Sequence, residues 1–158
     1  MDFRELQSQY NKELRSVTME KLVQGALVRA VLSSKEGLKF KDGRTEKPKR
    51  IVIIGVDRSN GLCYGTILIN TKQNPQSYYS DEYFAAQYCL RKDDYPDFLD
   101  YDSYVDCSNL FAIPFSVLER GEHFGVLNPT DKAEIINILE TTETIETSVK
   151  KRFGIRRR

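Results

Sequence analysis

The chain of 158 residues has the size of one domain, long enough to bury a core, and a second full domain is not expected. Apolar residues at 40% and charged residues at 30% exclude a disordered or fibrous chain. The 24 basic and 23 acidic side chains nearly cancel, so no global charge points to nucleic acid, membrane or an acidic substrate. From Phe3, the apolar positions Leu6, Tyr10, Leu14 and Val17 recur at spacings of three and four, which predicts a helix ended by Gly25. Such a face packs on the core or binds a partner, and packing is the expectation. The charged residues from Met1 to Glu5 are unlike a signal peptide and no segment has the length of a bilayer span, so a cytoplasmic protein is expected.

Ala26 to Leu32 reads as a strand, followed by a Lys-, Arg-, Gly- and Pro-rich loop from Lys39 to Arg50. Two β-branched runs, Arg50 to Val56 and Tyr64 to Asn70, flank Asp57-Arg58-Ser59-Asn60-Gly61, whose Asn-Gly predicts a hairpin. From Gln73 to Asp94 the pattern dissolves into Tyr, Ser, Asp and Gln, which predicts a surface insertion with a short helix over Tyr83 to Tyr88. Ser103 to Cys107 has strand character, Leu110 to Ile113 reads as its continuation, and Phe115 to Arg120 as a helical turn. Asn128-Pro129-Thr130-Asp131 supplies a cap, a first-turn Pro and an early acid ahead of Ile135, Ile138 and Leu139, so a second helix begins there. Short strands joined by hairpins without βαβ alternation predict a mainly β chain with flanking helices, closed into a small antiparallel barrel or half-barrel.

Few residues offer chemistry. Cys63, Cys89 and Cys107 are scattered and form no Cys-x-x-Cys pair, so neither a disulfide framework nor a zinc site is expected. The single histidine, His123, lies between Gly121 and Gly125 and reads as a solvated loop residue. Asp93, Asp94, Asp97, Asp100, Asp102 and Asp106 crowd one segment, but without the Gly and Glu of a calcium loop they read as a solvated acidic stretch. No glycine-rich phosphate loop occurs. Two basic clusters have the charge to meet phosphates: Arg44, Lys47, Lys49 and Arg50, and the tail residues Lys150, Lys151, Arg152, Arg156, Arg157 and Arg158. The tail reads equally as a disordered, solubilising end.

The order of elements resembles the MazF/PemK-like toxins. Gly25 to Val31, the basic loop ending in Lys49-Arg50, Asn60-Gly61, Asn70-Thr71, Tyr95 to Leu99, Asp102 to Ser108 and Asp131 to Leu139 carry the resemblance over roughly Gln24 to Glu143. It implies an SH3-like barrel (residues 24–143, insertion 73–94) between an N-terminal helical segment (1–23) and a basic tail (144–158). It further implies a homodimer that cleaves single-stranded RNA without metal or cofactor and is silenced by an antitoxin protein. The residues that match the family's site are Arg50, to hold the phosphate, and Thr71, to position it. Arg44, Lys47, Lys49 and Lys72 are the expected substrate contacts. RNA carries its own nucleophile in the 2′-hydroxyl, so orientation and charge stabilisation suffice for such chemistry. The general base has no assignment. Ile51 stands where the family has Pro and Lys72 where it has another polar residue. A catalytically inactive barrel that binds nucleic acid or peptide is therefore the alternative, and a partner protein without a nucleic-acid role the third reading.

Overall fold

The computed structural model describes residues 2–38, 43, 45–69, 86–142, 145, 147–152 and 155. Helix α1 (Phe3–Leu14) is followed by strands β1 (Ala26–Ser33), β2 (Glu46–Asp57), β3 (Leu62–Ile69), β4 (Gln87–Leu90), β5 (Ser103–Asp106) and β6 (Phe111–Pro114). A single helical turn α2 (Phe115–Leu118), strand β7 (Glu122–Val126) and helices α3 (Pro129–Thr141) and α4 (Thr147–Arg152) complete the order. All pairings are antiparallel, in the order β4-β5-β3-β2-β1-β7. Strand β3 forks, pairing β6 through Leu62 to Gly65 and β5 through Leu68 and Ile69. That fork, with a register shift between Ile53 and Gly55 of β2, curls the sheet into a half-barrel, the mixed β and α architecture expected from the sequence.

The curl encloses apolar residues on both faces. Leu27, Val52, Leu68 and Val105 pack with Leu90, Phe98, Leu99, Ile135 and Leu139 on one side. Val28, Ala30, Ile51, Ile53, Cys63 and Ile113 pack with Leu22 and Leu118 on the other. Burial on both faces is why β1 to β3 read as continuous apolar runs and not as alternating ones. The β2–β3 turn has the predicted chemistry: Gly61 takes φ +65°, and the Asp57 carboxylate accepts from the Asn60 amide N–H, the Asn60 side chain and the Ser59 hydroxyl. Helix α3 begins as its cap predicts, with the Asp131 amide donating to Asn128 Oδ1 at 2.7 Å.

Other expectations change. Strand β2 begins at Glu46, so Glu46 to Lys49 belong to the sheet and not to the loop. Leu110 to Ile113 does not continue β5: Phe111–Pro114 is a separate strand on the other half of β3. Residues 87–90 form an edge strand where a helix was expected, and residues 83–85 lie outside the described ones. His123 lies within β7, not in a loop. Helix α1 stops at Leu14, and its stripe of Phe3, Leu6, Tyr10 and Leu14 stays exposed, so it does not close on the sheet. The chain turns away after Leu14, where Lys21 Nζ donates to the Leu14 and Ser16 carbonyls, and only Val17 of that stripe enters the core.

The described part of the basic tail is folded. Ile145 and Ile155 are buried in the first core, and Lys150 is buried with Nζ donating to the carbonyls of Glu140 and Thr142 at the end of α3. A cation there complements the negative end of the helix, so Lys150 serves the fold and is not offered to a phosphate. Burial pushes the Cys63 thiol up to about 12 and raises that of Cys107 as well, which leaves both unreactive at neutral pH.

Candidate functional site

Arg50 lies at the middle of β2, where the sheet passes from the closed core to an open face. Its Nε–H donates to the Phe98 carbonyl at 2.7 Å and its Nη2 to Asp100 Oδ2 at 2.8 Å, while the side chain remains 26% exposed. One edge of the guanidinium is thus held by protein, while part of the side chain stays open to solvent. This is the geometry by which an arginine holds an anion in a set orientation.

The carbonyl that aims Arg50 is itself positioned by a buried network. The Leu99 amide donates to the Tyr95 carbonyl at 2.9 Å and the Phe98 amide to the same oxygen at 3.1 Å, forming a tight turn. Tyr95 donates its hydroxyl to Asp131 Oδ2 at 2.5 Å, and Tyr88 donates to Asp131 Oδ1 at 2.6 Å. Asn128 adds its Nδ2–H to Asp131 Oδ2 at 3.0 Å, and its amide donates to the Tyr95 hydroxyl at 3.1 Å. Asp131 lies in the first turn of α3, where the helix dipole favours a negative charge. The chain of support therefore runs from the α3 N-terminus through Tyr95 to the Phe98 carbonyl and Arg50. Phe98 also packs on Phe124 with ring centroids 5.4 Å apart, and Arg15 covers the Phe124 ring at 4.6 Å. A groove of about 460 Å³ runs beside this pair, between Asp94 to Phe98 and Phe124 to Pro129.

Burial first, and then the Asp131 carboxylate that each hydroxyl contacts, raise both Tyr88 and Tyr95 above the ordinary phenol value of about 10. Above that pH the unfolded chain releases protons that the folded protein retains, so stability falls as pH rises. The melting temperature of the wild type is expected to drop through the alkaline range above about pH 10, and less steeply in Tyr88→Phe.

The remaining expected site residues divide. Lys47 and Lys49 pair with Leu32 and Ala30, on the sheet face opposite the one that carries Pro48 and Arg50, so β2 does not bring them to Arg50. Arg44, Thr71 and Lys72 lie outside the described residues. The acidic stretch is put to local use: Asp102 accepts from the Lys92 amide and Asp106 from Ser108, while Asp100 reaches Arg50. Among the described residues no three His, Cys, Asp or Glu side chains converge as a metal site. No helix of the described residues is long and apolar enough to cross a membrane.

His123 faces the other side of the sheet, opposite Val28, and is no part of the Arg50 face. Its Nδ1 accepts from the Gly125 amide at 3.3 Å, which leaves the proton on Nε2, buried without a partner among the described residues. Burial first, and then Lys21, lower its pKa. The unfolded chain therefore takes up a proton near pH 6.5 before the folded one does, and stability falls as pH drops below that value. A plot of unfolding free energy against pH is expected to lose this acid-side slope in His123→Gln.

Two residues at the site have no counterpart among the sequence expectations. Arg29 of β1 stands directly opposite Arg50, and Glu122 of β7 directly opposite Arg29. The only sequence signal was a single arginine within the apolar run Ala26 to Leu32.

No protein-family model matches the sequence, and none of the curated proteins does. Among solved structures, an endoribonuclease from a mycobacterial species superposes with a TM-score of 0.51, at 16% identity, over 80% of this chain and 94% of that one. The Mycobacterium tuberculosis toxin MazF-mt6 superposes at 0.47, with 14% identity, over 63% of this chain and 90% of the other. The chain shares the fold of the mycobacterial endoribonuclease.

Proposed function

We propose that this chain is a metal-independent, sequence-specific endoribonuclease of the MazF/PemK-like type, a cytoplasmic homodimer that cleaves single-stranded RNA and is silenced by an antitoxin protein. The observation that carries this reading is Arg50, anchored through Nε to the Phe98 carbonyl with its side chain still 26% exposed. The shared fold with a protein described as an endoribonuclease supports it.

In the proposed reaction the 2′-oxygen attacks the adjacent phosphorus, the bond to the 5′-oxygen breaks, and a cyclic phosphate and a free 5′-hydroxyl result. Arg50 binds the phosphate through its Nη donors and stabilises the charge that develops on the pentacoordinate phosphorus. Thr71 positions the same phosphate, as the family resemblance implies.

The test is incubation of the purified protein with a long single-stranded RNA in EDTA, beside Arg50→Ala, with cut ends mapped. Discrete cuts by the wild type alone support the assignment. One observation favours a non-catalytic binding module: Asp100 already occupies one Nη2 donor of Arg50. Saturable RNA binding by the wild type with no cuts would select that reading.

A further inference from the structure

Like charges placed directly opposite each other across two strands destabilise a sheet, and their Cβ atoms lie about 4.5–5.5 Å apart on one face. Arg29 and Arg50 are such a pair. Each also has an acid partner: Glu122 lies 3.8 Å from Arg29 and Asp100 lies 2.8 Å from Arg50. Both acids are well exposed, with side chains 46% and 76% accessible, so solvent screens both pairs and neither locks its arginine. The 3.8 Å separation is beyond hydrogen-bond distance, and Arg29 is itself 45% exposed. The backbone at Arg29 is nevertheless tightly held, because Gly121 packs so closely on its carbonyl and on Ala30 that a Cβ there would collide. Two cations are thus set side by side on paired strands, and the acid beside Arg29 belongs to β7, on the side of β1 away from Arg50.

We propose that Arg29 and Arg50 form a two-arginine phosphate site, in which Arg29 holds the backbone phosphate next to the one held by Arg50. This rests on the reading of the chain as an RNA-binding protein. It adds a binding residue that neither the sequence nor the family resemblance assigned. Bound phosphate relieves the repulsion between the two guanidiniums, and the bound strand releases the counterions it carried at those phosphates.

The experiment is binding of a single-stranded 2′-O-methyl oligonucleotide, which has no free 2′-hydroxyl to attack, over a range of salt concentrations. The chains compared are wild type, Arg29→Ala, Arg29→Lys and Glu122→Gln, each checked for an unchanged melting transition. Arg29→Ala is expected to weaken binding about ten-fold and to lower the log–log salt slope by about 0.7, the share of one phosphate contact on a single strand. Arg29→Lys keeps the slope but recovers only part of the affinity, because an ammonium lacks the guanidinium fork. Glu122→Gln binds more tightly at low salt. Wild-type slope and affinity in Arg29→Ala would overturn the two-arginine site while leaving the RNA reading in place. Absence of salt-dependent binding by the wild type would overturn the RNA reading and the arginine pair with it.

Discussion

Arg50→Ala is expected to lose RNA cleavage by about a hundred- to a thousand-fold, the scale of removing a pre-aimed donor from a developing oxyanion. Its melting temperature should change little, because the Arg50–Asp100 pair is exposed to solvent on the Asp100 side and such pairs add about 0–1 kcal/mol. The sharper discriminator is Arg50→Lys. Lysine keeps the charge but has no Nε–H to give to the Phe98 carbonyl, so the cation loses its fixed direction. Partial affinity for RNA with a rate still far below wild type would show that orientation matters as well as charge. Equal activity in all three proteins, measured with purified RNA and mapped ends, would remove Arg50 from the site.

Asp131→Ala is expected to be the most damaging substitution for stability. Asp131 is buried and accepts hydrogen bonds from Tyr88, Tyr95 and the Asn128 side chain, and hydrogen bonds to a charged group each contribute about 1.5–3 kcal/mol. Truncation leaves two phenolic hydroxyls partly buried without an acceptor and removes the anion at the α3 N-terminus. Since such contributions are not additive, a loss of about 3 kcal/mol or more is expected, read as a fall of roughly 10 °C in melting temperature for a domain of this size. Asp131→Asn, which retains an acceptor of the same shape, should fall between. Because Tyr95 heads the turn whose Phe98 carbonyl aims Arg50, both variants should also slow cleavage at temperatures where they remain folded. A stable Asp131→Ala protein would mean that the network is not what holds α3 to the sheet.

Local chemistry alone determined several parts of this protein. The apolar runs of β1, β2 and β3 read as strands because most of their β-branched and aliphatic residues are buried, on both faces of the sheet. Asp57 to Gly61 carries its own turn hydrogen bonds, and Asn128 to Asp131 carries its own helix cap. Each of these signals is complete within a few residues, which is why it could be read without the fold. The short strands β4 and β7 lack that property, since four or five residues acquire strand geometry only from the strand beside them, and the strand character of Leu110 to Ile113 did not disclose that β6 is a separate strand paired with β3. The start of β2 was hidden for a related reason: Glu46 to Lys49 have the composition of a loop, and only pairing with β1 makes them a strand. Their alternation then sends Lys47 and Lys49 to the face away from Arg50, although all three stand together in sequence.

The site itself was legible as one residue. Arg50 follows from its place before an apolar strand and from the family resemblance. Its partners Phe98 and Asp100 lie 48 and 50 residues away, and Asp131 is 36 residues from the Tyr95 that it holds. Arg29 meets Arg50 only because β1 and β2 pair in one particular register, and a slip of one residue would put them on opposite faces. Helix α1 shows the converse limit. Its spacing identified a helix from Phe3 but ran it on past its end at Leu14, and periodicity records only that one face is apolar; whether anything covers that face is decided by where the chain turns after Leu14.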